Sequence, residues 1–269
     1  VIKSDTCYWY GSSKSSIVLK KFSGTVTVTG GGNGGMEGRY FGSSAFYSYG
    51  YISEISMEEF TGTIKMDSGV AIYSGSSSES SQTTSTVSLG DYSGNIEIGT
   101  PLSYDQENDE WSGGGASKGI YAIGNTAAIS VEELSGEIIL YASEYKNGVC
   151  AIQARGYSEE TVETGSSISL DKFSGSITIS GGISGVSEGE FDGNAAFYSK
   201  ASSEGAYGDS EDEWNRKAVK SSVSIKEFTG KIRQDKGIAI YSQGTESTIS
   251  LGDFSGDIEV GTQPYYDQW

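Results

Sequence analysis

The chain has 269 residues, with 36 acidic against 18 basic side chains, no histidine and a formal charge of −18. That charge repels phosphate backbones and anionic headgroups, so nucleic acid and membrane surfaces are not expected partners. The missing histidine excludes Ser-His-Asp and Cys-His nucleophilic catalysis and His-ligated zinc.

Hydrophobic residues at 35%, 39 Gly and only 2 Pro describe many short strands around a narrow core rather than helices around a broad one. No stretch approaches the roughly 18 apolar residues of a membrane span. The start, Val1-Ile2-Lys3-Ser4-Asp5, lacks the regions of a signal peptide, so any export signal is expected outside this chain.

In chain order, seven segments share one pattern: an apolar-x-apolar strand, a large apolar residue three positions on, Ser or Thr, Gly, and a second apolar-x-apolar strand. The first is Ile17-Val18-Leu19 with Phe22-Ser23-Gly24 and Val26/Val28. Then come Ile55-Ser56-Met57 with Phe60-Thr61-Gly62, Val87-Ser88-Leu89 with Tyr92-Ser93-Gly94, and Ile129-Ser130-Val131 with Leu134-Ser135-Gly136. Ile168-Ser169-Leu170 with Phe173-Ser174-Gly175, Val223-Ser224-Ile225 with Phe228-Thr229-Gly230, and Ile249-Ser250-Leu251 with Phe254-Ser255-Gly256 complete the series. A weaker third strand recurs as Tyr8-Trp9-Tyr10, Ala45-Phe46-Tyr47, Ala71-Ile72-Tyr73, Ala122-Ile123, Ala151-Ile152, Ala196-Phe197-Tyr198 and Ala239-Ile240-Tyr241.

Three strands per repeat is the count of a parallel β-helix coil, and each coil hides its one apolar face only by stacking on the next. The expectation is therefore an all-β, right-handed parallel β-helix (β-solenoid) of about seven three-strand coils, forming a single domain over residues 1–269. Phe22, Phe60, Tyr92, Leu134, Phe173, Phe228 and Phe254 should stack inside it as a ladder, with each following Gly supplying a positive-φ turn. Leu89 to Thr100 matches Leu251 to Thr262 residue for residue in pattern, so about 14–104 and 165–266 are expected to be duplicated blocks joined by an extra coil, 105–164. The chain stops in the segment that elsewhere leads into coil four, which suggests a piece of a longer array.

Cys7 and Cys150 each precede the apolar residue of the third strand by two positions but lie four coils apart. At about 4.8 Å per coil that is about 19 Å, too far for a disulfide, so two free buried thiols are expected.

Carboxylates are the remaining chemistry. Asp105, Glu107, Asp109 and Glu110 share one insertion, and Asp209, Glu211, Asp212 and Glu213 another. Solvated acidic loops are the plain reading; Ca²⁺ held by Asp105, Asp109, Asp209 and Asp212 is the one cofactor they suggest. The threonines around Val26 invite comparison with a flat hydroxyl array, but Glu97, Arg233 and Glu259 break it. The insertions also carry Trp111 and Trp214, and Tyr47, Tyr73, Tyr198 and Tyr241 recur at one strand position. If outward, these aromatics form a contact surface; three-residue strands leave open whether the tyrosines face out or in.

The Gly/Ser/Thr-rich, acidic coils of the form Ile-Ser-Leu-x-x-Phe-Ser-Gly-x-Ile-x-Ile resemble the passenger regions of bacterial autotransporters and related β-helical adhesins. The resemblance covers nearly the whole chain and is architectural. It implies display at a bacterial cell surface or secretion, and adhesion to a host or neighbouring-cell protein or glycan. A non-catalytic structural or adhesive segment is thus expected, with self-association through the solenoid ends as a further expectation. The alternative is a glycan-active lyase or glycosidase using acidic loop residues.

Overall fold

A computed structural model describes residues 2–6, 13–30, 35–36, 39–40, 42–76, 83–105, 110–143, 148–158, 164–183, 186–187, 190–191, 193–203 and 219–261. Three parallel sheets of seven strands stack in chain order, which is a parallel β-helix of seven coils. The first sheet holds Ile2–Asp5, Ser44–Tyr49, Gly69–Gly75, Ala116–Gly124, Cys150–Ser158, Ala195–Ser203 and Ile238–Gln243. The second holds Lys14–Phe22, Ile52–Phe60, Thr84–Tyr92, Thr126–Leu134, Thr164–Phe173, Val219–Phe228 and Glu246–Phe254. The third holds Thr25–Val28, Thr63–Met66, Asn95–Ile98, Glu137–Ala142, Ser176–Gly181, Lys231–Gln234 and Asp257–Val260.

The ladder forms as expected. Phe22 pairs with Phe60, Phe60 with Tyr92, Tyr92 with Leu134, Leu134 with Phe173, Phe173 with Phe228, and Phe228 with Phe254. Neighbouring rings lie at stacking distance, 4.7 Å for Phe60 and Tyr92 and 4.8 Å for Phe228 and Phe254. Ile, Val, Leu and Met of all three sheets pack around this column as one continuous core.

The reason for the turn glycines differs from expectation. None of Gly24, Gly62, Gly94, Gly136, Gly175, Gly230 or Gly256 has positive φ. A Cβ on Gly94 or Gly136 would instead overlap the carbonyl oxygen of the glycine one coil earlier. Close backbone approach between coils, not left-handed backbone, excludes a side chain there.

Two members of the third strand also change place. Ile2 pairs with Phe46, so coil one enters the first sheet through Ile2–Asp5; Tyr8-Trp9-Tyr10, with Cys7, lies outside the described residues. In coil four Ile120 and Tyr121 pair with Ile72 and Tyr73, three residues before the positions implied by the Ala-Ile pattern. The false match arose because Ala122-Ile123 imitates Ala71-Ile72, whereas Gly119 occupies the small-residue position. Cys150 is a free, buried thiol, which burial pushes upward in pKa, with Lys118 and an Ala195 backbone contact opposing.

Inside the corner between the first and second sheets runs a spine of buried serines. Ser15 bonds Ser4 at 2.9 Å and Ser48 at 3.0 Å, and Ser53 bonds Ser48 and Ser74, both at 2.9 Å. Ser85 continues it to Ser74 at 2.9 Å. Ala122, Ala127 and Ala154 occupy the next places; the spine resumes with Ser166–Ser199 at 2.7 Å and Ser221–Ser242 at 2.8 Å. Each hydroxyl in these pairs has at least one hydroxyl partner, so a polar row is satisfied inside the coil corner.

Candidate functional site

The outer face of the second sheet carries an aligned row of hydroxyl side chains. In Ile-Ser-Leu the two apolar residues turn into the core, so alternation sends the serine outward. Stacking then aligns Ser56, Ser88, Ser130, Ser169, Ser224 and Ser250 in one outer row, with Val18 in coil one. Two residues earlier on each strand, a parallel row holds Ser16, Glu54, Thr86, Ala128, Ser167, Ser222 and Thr248. Ser130 donates to Ser88 across one coil at 3.2 Å.

Beside the serine row, the strands bend at Glu58, Gly90, Glu132 and Asp171, which drop out of the ladder while the flanking residues stay paired. Coil three has no side chain at that bend, since a Cβ on Gly90 would overlap the Glu58 carbonyl oxygen. The result is a shallow groove of about 420 Å³ across coils two to five. Its floor is Ser56, Ser88, Ser130 and Ser169 with the edges of Met57, Leu89 and Val131; Glu58, Glu132 and Asp171 form one wall. The serines are half-buried or exposed and the three carboxylates exposed. Lys226 of the next coil pairs with Asp171 at 2.7 Å.

This arrangement offers hydroxyl donors and acceptors along the floor and carboxylate acceptors along the rim, repeated at the coil spacing of about 4.8 Å. It suits an extended, uncharged ligand rich in hydroxyl groups. The serine at the centre of each Ile-x-Leu was legible as a repeat, but as a spacer between core positions; its outward alignment is the signal that could have marked it.

The residues singled out from sequence are dispersed. Tyr47, Tyr73, Tyr198 and Tyr241 do stand in one column, joined by Tyr121 and Gln153. They sit off the main core in two smaller clusters. They do not form the bare outward row that a contact surface needs: Tyr73 and Tyr198 are 0% and 4% exposed, and Tyr47 and Tyr241 half-buried. Tyr47 stacks on Tyr73 at 5.1 Å, Lys3 lies over Tyr47 at 5.1 Å, and Tyr198 donates to Gln243 at 3.0 Å. Burial raises the Tyr121 phenol, opposed by Arg155.

Asp105 and Trp111 lie on an antiparallel hairpin, Thr100–Asp105 with Glu110–Gly114, whose backbone register pairs Asp105 with Glu110 and Tyr104 with Trp111. Glu107, Asp109, Asp209, Glu211, Asp212, Glu213 and Trp214 lie outside the described residues. Among the described residues no group of three or more His, Cys, Asp or Glu side chains is placed to hold a metal ion, and no helix is long and apolar enough to cross a membrane. The outer face of the third sheet is crossed by ion pairs, Lys65 to Glu97 at 3.0 Å and Arg233 to Glu259 at 3.9 Å, in the column begun by Thr27.

Fold and site together define a parallel β-helix with a hydroxyl-rich outer face. No family model, no curated protein and no solved structure matches the chain.

Proposed function

We propose that this chain is a non-catalytic structural and adhesive segment, secreted or displayed at a cell surface, that holds neutral glycans on the outer face of its second sheet. The observation that carries the reading is the serine-floored groove spanning four coils. A pyranose chain presents alternating hydroxyl donors and acceptors over a similar length, and repeated weak hydrogen bonds along it add up through multivalency. The charge of −18 disfavours anionic polysaccharides. Of the groove's carboxylates, Asp171 is tied to Lys226, and all three are exposed to water, where they serve as hydrogen-bond acceptors.

The test is an array of neutral and acidic glycans probed with the full chain and with Ser130→Trp, which fills the groove from an exposed position. Binding to neutral glycans, reduced at least about tenfold by the indole without a change in melting temperature, is the expected result. Equal binding by the variant would remove the groove from the reading. Glu132 and Asp171 on adjacent coils favour the second reading, a glycan-active enzyme. New reducing ends or unsaturated products after incubation with the same polysaccharides would establish it and end the adhesive one.

A further inference from the structure

The groove wall is interrupted at one coil, and the interruption is built into the backbone. The wall position carries Glu58 in coil two, Gly90 in coil three, Glu132 in coil four and Asp171 in coil five. A Cβ on Gly90 would overlap the Glu58 carbonyl oxygen, and one on Gly252, at the same place in coil seven, would overlap the Lys226 carbonyl oxygen. The coil-three bend therefore lies too close to the preceding coil for any side chain. Beside Ser88 the wall is open, within a groove that spans coils two to five.

The groups around this opening differ in kind. Ser88 is the floor beside it, and because Ser130 donates to Ser88 at 3.2 Å, Ser88 keeps its own proton to give. The carboxylates of Glu58 and Glu132 stand one coil to either side, about 4.8 Å along the stack, and accept. Among the described residues neither is held by an ion pair, whereas Asp171 is tied to Lys226 at 2.7 Å. The edge of Leu89 adds an apolar spot. A hydroxyl donor, carboxylate acceptors and an apolar edge match the carbonyl, the N–H and the methyl of a secondary acetamide. A sugar hydroxyl leaves the opening unfilled, and a free amine uses the carboxylates alone.

Resting on the groove as the glycan site, we propose that its ligands are neutral glycans in which an N-acetylhexosamine is flanked by unsubstituted sugars, the acetamido group entering the opening at Gly90. The acetamido carbonyl accepts from the Ser88 hydroxyl, its N–H donates to Glu58 or Glu132, and its methyl packs on the edge of Leu89. Side chains occupy the wall in coils two, four and five, so the groove has one such opening in its four coils. Gly90 is thus a specificity-determining residue that acts by having no side chain. The close approach that demands glycine at this bend also makes the space that recognises the substituent.

Ligand-observed NMR titration of the full chain at about 0.15 M salt tests this with three tetrasaccharides. They are a chain of galactose, N-acetylglucosamine, galactose and glucose, the same compound after removal of its acetyl group, and cellotetraose. The first should bind at least about tenfold more tightly than either of the others, with saturation transfer from the protein strongest at its acetyl methyl. Ser88→Ala, a change at a half-buried surface position, should cut that preference by about threefold to tenfold and leave cellotetraose binding unchanged. Gly90→Ala should abolish the preference, and Ser88→Ala carries the test if the added methyl prevents folding. Equal binding of the acetylated compound and cellotetraose would overturn the proposal while the groove reading stands. Tighter binding of the free amine would overturn it too, because the wall would then act by charge alone. If none of the three binds, the proposal falls, and the groove reading falls with it only when the array of neutral glycans is also blank.

Discussion

At the scale of single residues, Tyr92 is the one odd ring in an otherwise hydrocarbon column. Its ring stacks on Phe60 with an interplanar angle of 1°, but its hydroxyl is buried with no hydrogen-bond partner. A buried hydroxyl without a partner costs about 1–3 kcal/mol, so Tyr92→Phe should raise unfolding free energy by about 1 kcal/mol at neutral pH. Burial also pushes the phenol well above the usual 10.0. The unfolded chain therefore releases this proton first as pH rises, and the stability that Tyr92 contributes below about pH 10 is lost as pH climbs toward the folded value. The gap between wild type and Tyr92→Phe should accordingly widen in urea titrations above pH 10. A variant less stable than wild type at both pH values would mean that the hydroxyl has a role the geometry does not show.

At the scale of the element, the turn between the second and third sheets separates two explanations of glycine. Gly136→Ala places a methyl on the Gly94 carbonyl, whereas Gly24→Ala, in coil one, meets nothing closer than the Phe22 ring at 3.9 Å. Close approach predicts a loss of about 1–3 kcal/mol or more for Gly136→Ala and almost none for Gly24→Ala; backbone conformation predicts similar losses for both. Thermal melts of the two variants decide between them. The strands of the second and third sheets were legible in sequence because Ile-x-Leu, the ladder residue and Ser-Gly lie at fixed spacing, which leaves one register. The first sheet was legible only in part, since an Ala-Ile pair satisfies its short pattern at more than one place, as Ala122-Ile123 shows. The groove escaped because it is no motif: its serines come from four separate coils and meet only through stacking. The serine spine escaped for the same reason, no coil supplying more than two of its hydroxyls.

At the scale of the whole molecule, two electrostatic effects act in opposite directions, and salt separates them. The chain carries −18, spread along a narrow rod, and this self-repulsion opposes the compact state most strongly at low ionic strength. Against it stand cross-coil pairs such as Lys14–Glu54 at 3.0 Å and Lys65–Glu97 at 3.0 Å, with side chains 34% to 59% exposed. Exposed pairs of this kind contribute about 0–1 kcal/mol each and are themselves weakened by salt. The Debye length shrinks from about 30 Å at 0.01 M to about 8 Å at 0.15 M, so added salt removes repulsion between distant coils while pairs in contact lose less. The melting temperature should therefore rise over this range. A melting temperature that falls with salt would show instead that the charged columns between coils, and not the excess of negative charge, govern how firmly the stack holds.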